Sequence, residues 1–210
     1  VEQIFQSQLA GEAVPNLEDL LSAYDDEWRG VDPAWVQWGS ESAVSLRELA
    51  SRMLAAFLAS PIARLAGRVL AIEEEVRGRL LPQVTDLLGR IDLAMETNDA
   101  LHILDFKTSR CRWSADQVTE SSGQLLLYSQ LAGDLCPKPV KLSFVVLTKT
   151  RSPDIAVHEV AFDPETLNRT LCIIEHVWKF GCAVDRIRKM LDFQNEFGEL
   201  DLIQRAHAIG

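Results

Sequence analysis

The sequence lacks the marks of a membrane or secreted protein. No apolar run approaches the ~18 residues that a membrane-spanning helix needs, and the first residues show no signal-peptide pattern. The 4 cysteines show no Cys-x-x-Cys spacing, and such unpatterned cysteines favour a reducing compartment over a disulfide framework. We therefore expect a globular, cytoplasmic protein with no membrane partner.

Positive charge is also in short supply. The chain of 210 residues carries 21 Lys and Arg against 31 Asp and Glu, a formal net charge of −10. Proteins that hold nucleic acid unaided usually have a basic surface, because phosphate contacts supply much of the affinity. Any such binding must rest on local clusters, and we expect it to be weak unless a larger protein or partner delivers the substrate. The candidate basic residues are Lys107, Arg110, Arg112, Lys138, Lys141, Lys149 and Arg151.

Two aspartates in a predicted β-hairpin are the most informative feature that is present. The apolar-rich segments 88–96 and 100–107 flank turn-forming residues, which is a hairpin pattern. A two-residue turn at Asn98-Asp99 would place Asp92 directly opposite Asp105. A loop of three or five residues would put these two aspartates out of register.

The same register assigns the remaining residues of the hairpin to two faces. Arg90 would lie opposite Lys107, on the face of the aspartates. The other face would hold four apolar side chains: Ile91, Leu93, Leu104 and Phe106. An ordinary solvated surface explains the polar face equally well, since one-sided sheets turn polar residues toward water.

The opposed aspartates favour a bound cation. Like charges directly opposite each other destabilise a strand pair by up to ~1 kcal/mol. A hard divalent ion compensates them, and Mg²⁺ binds through one or two carboxylates, several waters and substrate phosphates. Lys107 shares the face of Asp105, because side chains two apart on a strand point the same way. The hairpin thus offers a metal, a water and a fixed cation at one place.

Three motifs occur in a characteristic order: Gly89-Arg-Ile-Asp92, Ile103-Leu-Asp-Phe-Lys-Thr108 and Gln124-Leu-Leu-Leu-Tyr128. Together they resemble the PD-(D/E)XK nuclease superfamily, specifically its RecB-like exonuclease branch. The resemblance implies a metal-dependent DNA nuclease that hydrolyses phosphodiester bonds in DNA repair, recombination, or the processing of phage and mobile elements. It also implies DNA as the substrate and a larger helicase and nuclease assembly as a candidate partner.

The resemblance implies a role for each residue at the centre of these motifs. Asp92 and Asp105 would bind Mg²⁺ or Mn²⁺, with the backbone carbonyl of Phe106 as a third ligand. Lys107 would position the attacking water and stabilise the developing negative charge.

The third motif adds two catalytic candidates, Gln124 and Tyr128. Their four-residue spacing places both on one helical face, and the resemblance puts that helix near the site. Gln124 would fix the substrate or the water, whereas the Tyr128 hydroxyl is equally typical of an ordinary amphipathic helix.

Further candidates are weaker. Glu73, within a run of three glutamates, matches an acidic position that commonly precedes the Gly-x-x-Asp strand in such sequences. Strand alternation would put Glu73 and Glu75 on one side, so one or two of these glutamates could reach the metal. The loop after the second aspartate supplies candidates for DNA contact: Arg110, Arg112 and Trp113.

Two features of the RecB-like pattern are missing. Its Gly-x-x-x-His motif on an early helix has no counterpart, since the first histidine is His102. We expect either a fragment that begins just after that histidine, with impaired activity, or a member that lost the element. The four-cysteine pattern that holds an iron–sulfur cluster in some relatives is also absent from this sequence, so no cluster is predicted.

The predicted fold is a mixed α/β arrangement of the α+β kind. About five strands would form a small mixed sheet flanked by helices, a restriction-endonuclease-like core. Residues 1–66 would form a helical lobe packed on a core of residues 67–210, in one structural domain. Helices are predicted at 17–24, at 45–58 behind a capping box from Ser45 to Glu48, at 115–131, from 163 to about 179, and again after 183. Strands are predicted at 140–147 and 155–162.

Two other functions fit the same residues. One is a catalytically weak nuclease-fold scaffold or partner-binding subunit. The other is a metal-dependent hydrolase that acts on a different phosphate ester.

Overall fold

A computed structural model describes residues 1–133 and 135–196 of the chain, without the side chains of residues 33 and 184–196. The five helices within this part are α1 (Glu2–Ala10), α2 (Leu17–Arg29), α3 (Ala43–Ala59), α4 (Ala115–Leu131) and α5 (Pro164–Glu196). The five strands are β1 (Arg68–Gly78), β2 (Leu87–Glu96), β3 (Leu101–Ser109), β4 (Val140–Thr148) and β5 (Ile155–Val160).

The strands form one mixed sheet in the order β1-β2-β3-β4-β5. Neighbouring strands are antiparallel except β3 and β4, which are parallel. A parallel pair needs a crossover connection, and α4 provides it. The five-stranded mixed sheet between helices confirms the predicted fold class.

The N-terminal helices pack on one face of the sheet through aromatic side chains. Phe5 of α1 and Phe57 of α3 are at most 1% exposed. Both rings contact Phe106 of β3, at centroid distances of 6.0 and 5.9 Å. Burying a phenylalanine side chain stabilises a fold by about 1.5–3 kcal/mol, so these helices support β3 from behind. Helix α4 covers the opposite face with Leu125 and Leu126, which are both fully buried.

Capping residues explain where the helices begin. The predicted start of α2 is confirmed, because Asn16 accepts hydrogen bonds from the N–H groups of Glu18 and Asp19, and the Asp19 carboxylate accepts from Asn16 N–H. The predicted box from Ser45 to Glu48 is wrong: Ser42 is the N-cap and Ser45 its third-position partner. The two serines exchange reciprocal hydrogen bonds, and α3 therefore begins at Ala43.

The last helix is longer than predicted. The sequence predicts one helix to about residue 179 and another after 183, whereas α5 is continuous from Pro164 to Glu196. The predicted helix beyond residue 196 lies outside the described residues. In the part of the chain that the structure describes, no helix is long and apolar enough to cross a bilayer.

Candidate active site

The β2–β3 hairpin has the predicted register. Paired positions run from Leu93 opposite Leu104 to Glu96 opposite Leu101. The N–H of Thr97 donates to the carbonyl of Ala100 at 2.8 Å, which closes the two-residue turn. Continued by one pair, this register sets the two motif aspartates opposite each other. The regular ladder stops, however, just before that pair.

The strands part at Asp92 because its side chain replaces the backbone as hydrogen-bond acceptor. In an uninterrupted antiparallel ladder, the Phe106 N–H would donate to the backbone of Ile91. It donates instead to Oδ2 of Asp92, at 2.7 Å. The Asp92 carboxylate therefore joins β2 to β3 at the point where their backbone hydrogen bonds stop. The predicted pairing of Arg90 with Lys107 is wrong, since the ladder does not reach them.

Strand β2 changes face at the same point. Ile91 packs in the core under α4, whereas Leu93 packs in the opposite core with Leu104 and Phe106. Residues two apart in a regular strand share a face, so the strand is irregular between these positions. The predicted face is confirmed for Leu93, Leu104 and Phe106 and is wrong for Ile91.

Glu73 lies across from this irregularity in β1. It falls between the pairs Ile72–Leu93 and Glu74–Ile91. Glu73 has a φ of 49° and is the one non-glycine residue with positive φ in the described part of the chain. A left-handed conformation costs a non-glycine residue about 1–2 kcal/mol, and such strain is concentrated at functional sites. The regular alternation predicted for the three glutamates is therefore wrong.

The side chain of Glu73 is held by Arg90. The Arg90 Nε lies 3.0 Å from the Glu73 carboxylate and donates to its backbone carbonyl at 3.2 Å. This pair fixes the strained backbone and keeps Glu73 close enough to Asp105 to raise the pKa of that aspartate.

Asp105 is a buried carboxylate whose charge is only partly balanced by neighbouring hydrogen-bond donors and cations. It is 1% exposed, and its Oδ2 lies 2.7 Å from Nζ of Lys107. The direction of this contact is poor, so Oδ2 receives no hydrogen bond of good geometry. Burial raises the pKa of Asp105, Lys107 opposes that rise, and the carboxylates of Asp92 and Glu73 add to it.

Lys107 is oriented by the third motif. Its Nζ donates to Oε1 of Gln124 at 3.2 Å, and Nε2 of Gln124 donates to the Tyr128 hydroxyl at 2.7 Å. Burial raises the pKa of Tyr128, so the hydroxyl stays protonated. The structure thus joins Asp105, Lys107, Gln124 and Tyr128 in one line of polar contacts.

Gly89 begins the first motif, but the sequence reasoning gave this glycine no role in the site. A Cβ at this position would lie 2.9 Å from the ring of Tyr128, so only glycine lets the ring pack this closely on β2. The first motif is therefore interlocked with the third. A signal was available, because a glycine inside a strand often marks the close approach of another group.

The residues at the opening fit a hard divalent ion. No three His, Cys, Asp or Glu side chains converge on one point among the described residues. Mg²⁺ nevertheless needs only one or two carboxylates, since waters and substrate phosphates complete its shell. Asp105 provides a buried oxygen without a good hydrogen bond. Asp92 has a second oxygen, Oδ1, besides the one that accepts from Phe106.

The loop after β3 has a mixed composition. Arg110 and Arg112 are exposed, and Arg112 Nε lies 2.9 Å from the Asp154 carboxylate. Trp113 is half-buried, and its ring packs on Phe144 at a centroid distance of 5.2 Å. This packing holds one side of the ring against the core, and a contact of Trp113 with DNA stays a prediction.

Comparison with known proteins assigns the family. The PD-(D/E)XK nuclease superfamily matches residues 1–199, and the chain belongs to that superfamily. A candidate exonuclease from Eubacterium rectale has a similar structure, with 16% identity over 92% of this chain and 74% of that one, at a TM-score of 0.49. The protein SSO0001 is 19% identical over 73% of this chain and 82% of its own, at a TM-score of 0.39. No curated protein matches the sequence significantly.

Proposed function

We propose that this protein is a divalent-metal-dependent DNA nuclease of the RecB-like exonuclease type. The observation that carries the proposal is Asp105, a buried carboxylate that contacts Lys107, has one oxygen short of a good hydrogen bond, and lies near enough to Asp92 for that charge to raise its pKa. We expect Mg²⁺ or Mn²⁺ as cofactor and a cytoplasmic role in DNA repair, recombination, or the processing of phage and mobile elements. A larger helicase and nuclease assembly would deliver the DNA to this acidic protein.

In this proposal the chain supplies the ligands and the geometry. Asp92, Asp105 and the Phe106 carbonyl hold the metal. The hydrogen bond from the Phe106 N–H to Asp92 fixes the peptide group that joins Asp105 to Phe106. A divalent ion held there would polarise the scissile phosphate and lower the pKa of a water.

Lys107 would act on the water and on the developing charge. Its ammonium is held between Asp105 and Gln124, so it presents a positioned positive charge next to the metal ligands. Preorganised charge of this kind is worth most where water is excluded. Gln124 would keep Lys107 oriented, and Tyr128 would keep Gln124 oriented.

A scaffold without catalysis is the second candidate, and one observation favours it. Lys107 already lies 2.7 Å from Asp105, an arrangement that stabilises the buried carboxylate without a metal. A scaffold of this kind predicts that Lys107→Ala leaves the function of the protein unchanged.

The test is cleavage of end-labelled single-stranded and duplex DNA in Mg²⁺, in Mn²⁺ and in EDTA. We expect metal-dependent cleavage that falls at least ~100-fold in Lys107→Ala. The control is Lys141→Ala, since Lys141 pairs with Asp99 at the hairpin turn, at the other end of β3. Absence of cleavage by the wild-type protein, or equal cleavage by Lys107→Ala, would overturn the proposal.

A further inference from the structure

Four basic residues come together beyond the ends of β3 and β4. These parallel strands end side by side, with Ser109 opposite Thr148. The Lys149 N–H donates to the carbonyl of Ser109 at 2.6 Å and ties the two following loops together. The four residues, here called the basic rim, are all exposed: Arg110, Arg112, Lys149 and Arg151.

The basic rim keeps most of its charge unneutralised. Arg112 is paired with Asp154, whereas the other three residues of the rim form no ion pair with the described residues. Lys138 and Lys141, near the start of β4, behave differently. The ammonium group of Lys138 lies 2.9 Å from the Glu96 carboxylate, and that of Lys141 lies 2.6 Å from the Asp99 carboxylate.

The contrast matters because the protein as a whole is acidic, with a net charge of −10. Phosphate binding depends on local cations whose charge is not already cancelled. Of the two ends of β4, only the end with the basic rim offers them among the residues that the structure describes. That end is also the one toward which β3 runs after Lys107.

The rim lies at a distance that suits an extended substrate. Arg110 follows Lys107 by three residues, which corresponds to about 10 Å of extended chain. One strand of DNA advances about 3.4 Å per nucleotide. Since about 3.4 Å is the rise along the duplex axis and each strand winds around that axis, the rim lies within about three nucleotides of a phosphate held next to Lys107.

We propose that the basic rim binds the phosphate backbone of the DNA substrate within about three nucleotides of the cleaved bond. This proposal rests on the proposed function, because the position of the cleaved bond is taken from it. The DNA leaves the cleft over the loops that follow β3 and β4, away from the hairpin turn at Asn98-Asp99.

The test compares two double variants that remove the same charge. Lys149→Gln with Arg151→Gln removes two cations from the rim, and Lys138→Gln with Lys141→Gln removes two from the other end of β4. Binding of fluorescent duplex and single-stranded DNA is measured by anisotropy across a salt series. EDTA is present throughout, so that the proposed metal site and cleavage play no part.

The two variants should differ in salt dependence. Each lost phosphate contact lowers the slope of log K against log salt by about 0.9 on duplex DNA and about 0.7 on single strands. We expect the rim variant to lose nearly two units of slope on duplex DNA, and a further unit when Arg110→Gln is added. The control variant should keep the wild-type slope.

Three results would overturn the rim: equal loss of slope in both variants, wild-type slope in the rim variant, or no measurable binding by the wild-type protein at low salt. These outcomes are distinct from failure of the proposed function. If the protein binds DNA through the rim but does not cleave it, the rim proposal stands and the proposed nuclease function fails. If the protein cleaves DNA while the rim variant binds DNA as the wild-type protein does, the proposed nuclease function stands and the rim proposal fails.

Discussion

The Asp92 carboxylate accepts a hydrogen bond of 2.7 Å from the backbone N–H of Phe106, at the point where β2 and β3 stop pairing. This single contact does two things. It satisfies a backbone donor that the opening of the sheet would leave without a partner, and it holds Asp92 beside the strand that carries Asp105 and Lys107. Structure and proposed chemistry therefore depend on the same side chain.

The two roles of Asp92 are separable by substitution. In Asp92→Asn the amide oxygen still accepts from Phe106 N–H and the repulsion between Asp92 and Asp105 is removed, so we expect at least wild-type stability in EDTA, with loss of metal binding. In Asp92→Ala a part-buried donor is left unsatisfied, which costs up to about 1–3 kcal/mol. Urea unfolding in EDTA compares the stability of the two metal-free variants, and Mn²⁺ titration without EDTA measures metal binding. Equal stability of the two variants would show that the hydrogen bond does not support the hairpin.

The raised pKa of Asp105 makes stability depend on pH. A carboxyl whose pKa is higher in the folded than in the unfolded state binds protons preferentially when folded. Its contribution to stability is complete below the unfolded pKa and is lost as the pH rises through the folded pKa. We expect Asp105→Asn, which carries no such charge, to be more stable than wild type in EDTA at neutral pH. The difference should shrink toward the unfolded pKa of the aspartate.

Urea unfolding of both proteins at a series of pH values, in EDTA, measures this effect. Glu165→Gln serves as a control for carboxylate removal at an exposed helix position. A stability difference between wild type and Asp105→Asn that does not change with pH would contradict the assignment.

Gly89 should tolerate no side chain. An alanine Cβ would meet the Tyr128 ring at 2.9 Å, and overpacking of this kind costs about 1–3 kcal/mol. Displacement of the ring would also disturb Gln124 and, through it, Lys107. We expect Gly89→Ala to lose both stability and cleavage. Gly181→Ala is the matched control, because open space surrounds that position and alanine favours a helix. The unfolding temperature of Gly181→Ala should stay the same or rise, and its cleavage rate should stay unchanged.

The Tyr128 hydroxyl should act through Gln124. Tyr128→Phe keeps the ring that packs on Gly89 but removes the acceptor for Gln124 Nε2. We expect near wild-type stability and a cleavage rate lowered up to about 100-fold, the scale of a small misplacement of a catalytic group. Gln124→Ala should lower the maximal rate by a similar factor, and the double variant should add little. Additive losses would mean that the two residues act independently.

The sequence predicted the hairpin register and the bounds of α4, because turn length, strand alternation and helical spacing are local properties. It did not predict the end of the β2–β3 ladder. That end depends on Glu73, a residue type that rarely takes a left-handed conformation, and on the side chain of Asp92 acting as a backbone acceptor. Both features arise only when three strands are assembled.

The surface charges show the same limit. Along the sequence Lys138, Lys141, Lys149 and Arg151 look alike as basic residues around one strand. Only the folded hairpin brings Glu96 and Asp99 to the first two, and only the parallel pairing of β3 and β4 brings the last two next to Arg110.

The central claim is that Asp92 and Asp105 hold a divalent ion together, and Mn²⁺ binding followed by electron paramagnetic resonance tests it most directly. The wild-type protein should remove Mn²⁺ from the free signal at a single site, and Asp92→Asn and Asp105→Asn should each abolish that binding while remaining folded. Mn²⁺ bound as tightly by either variant as by the wild-type protein would contradict the account.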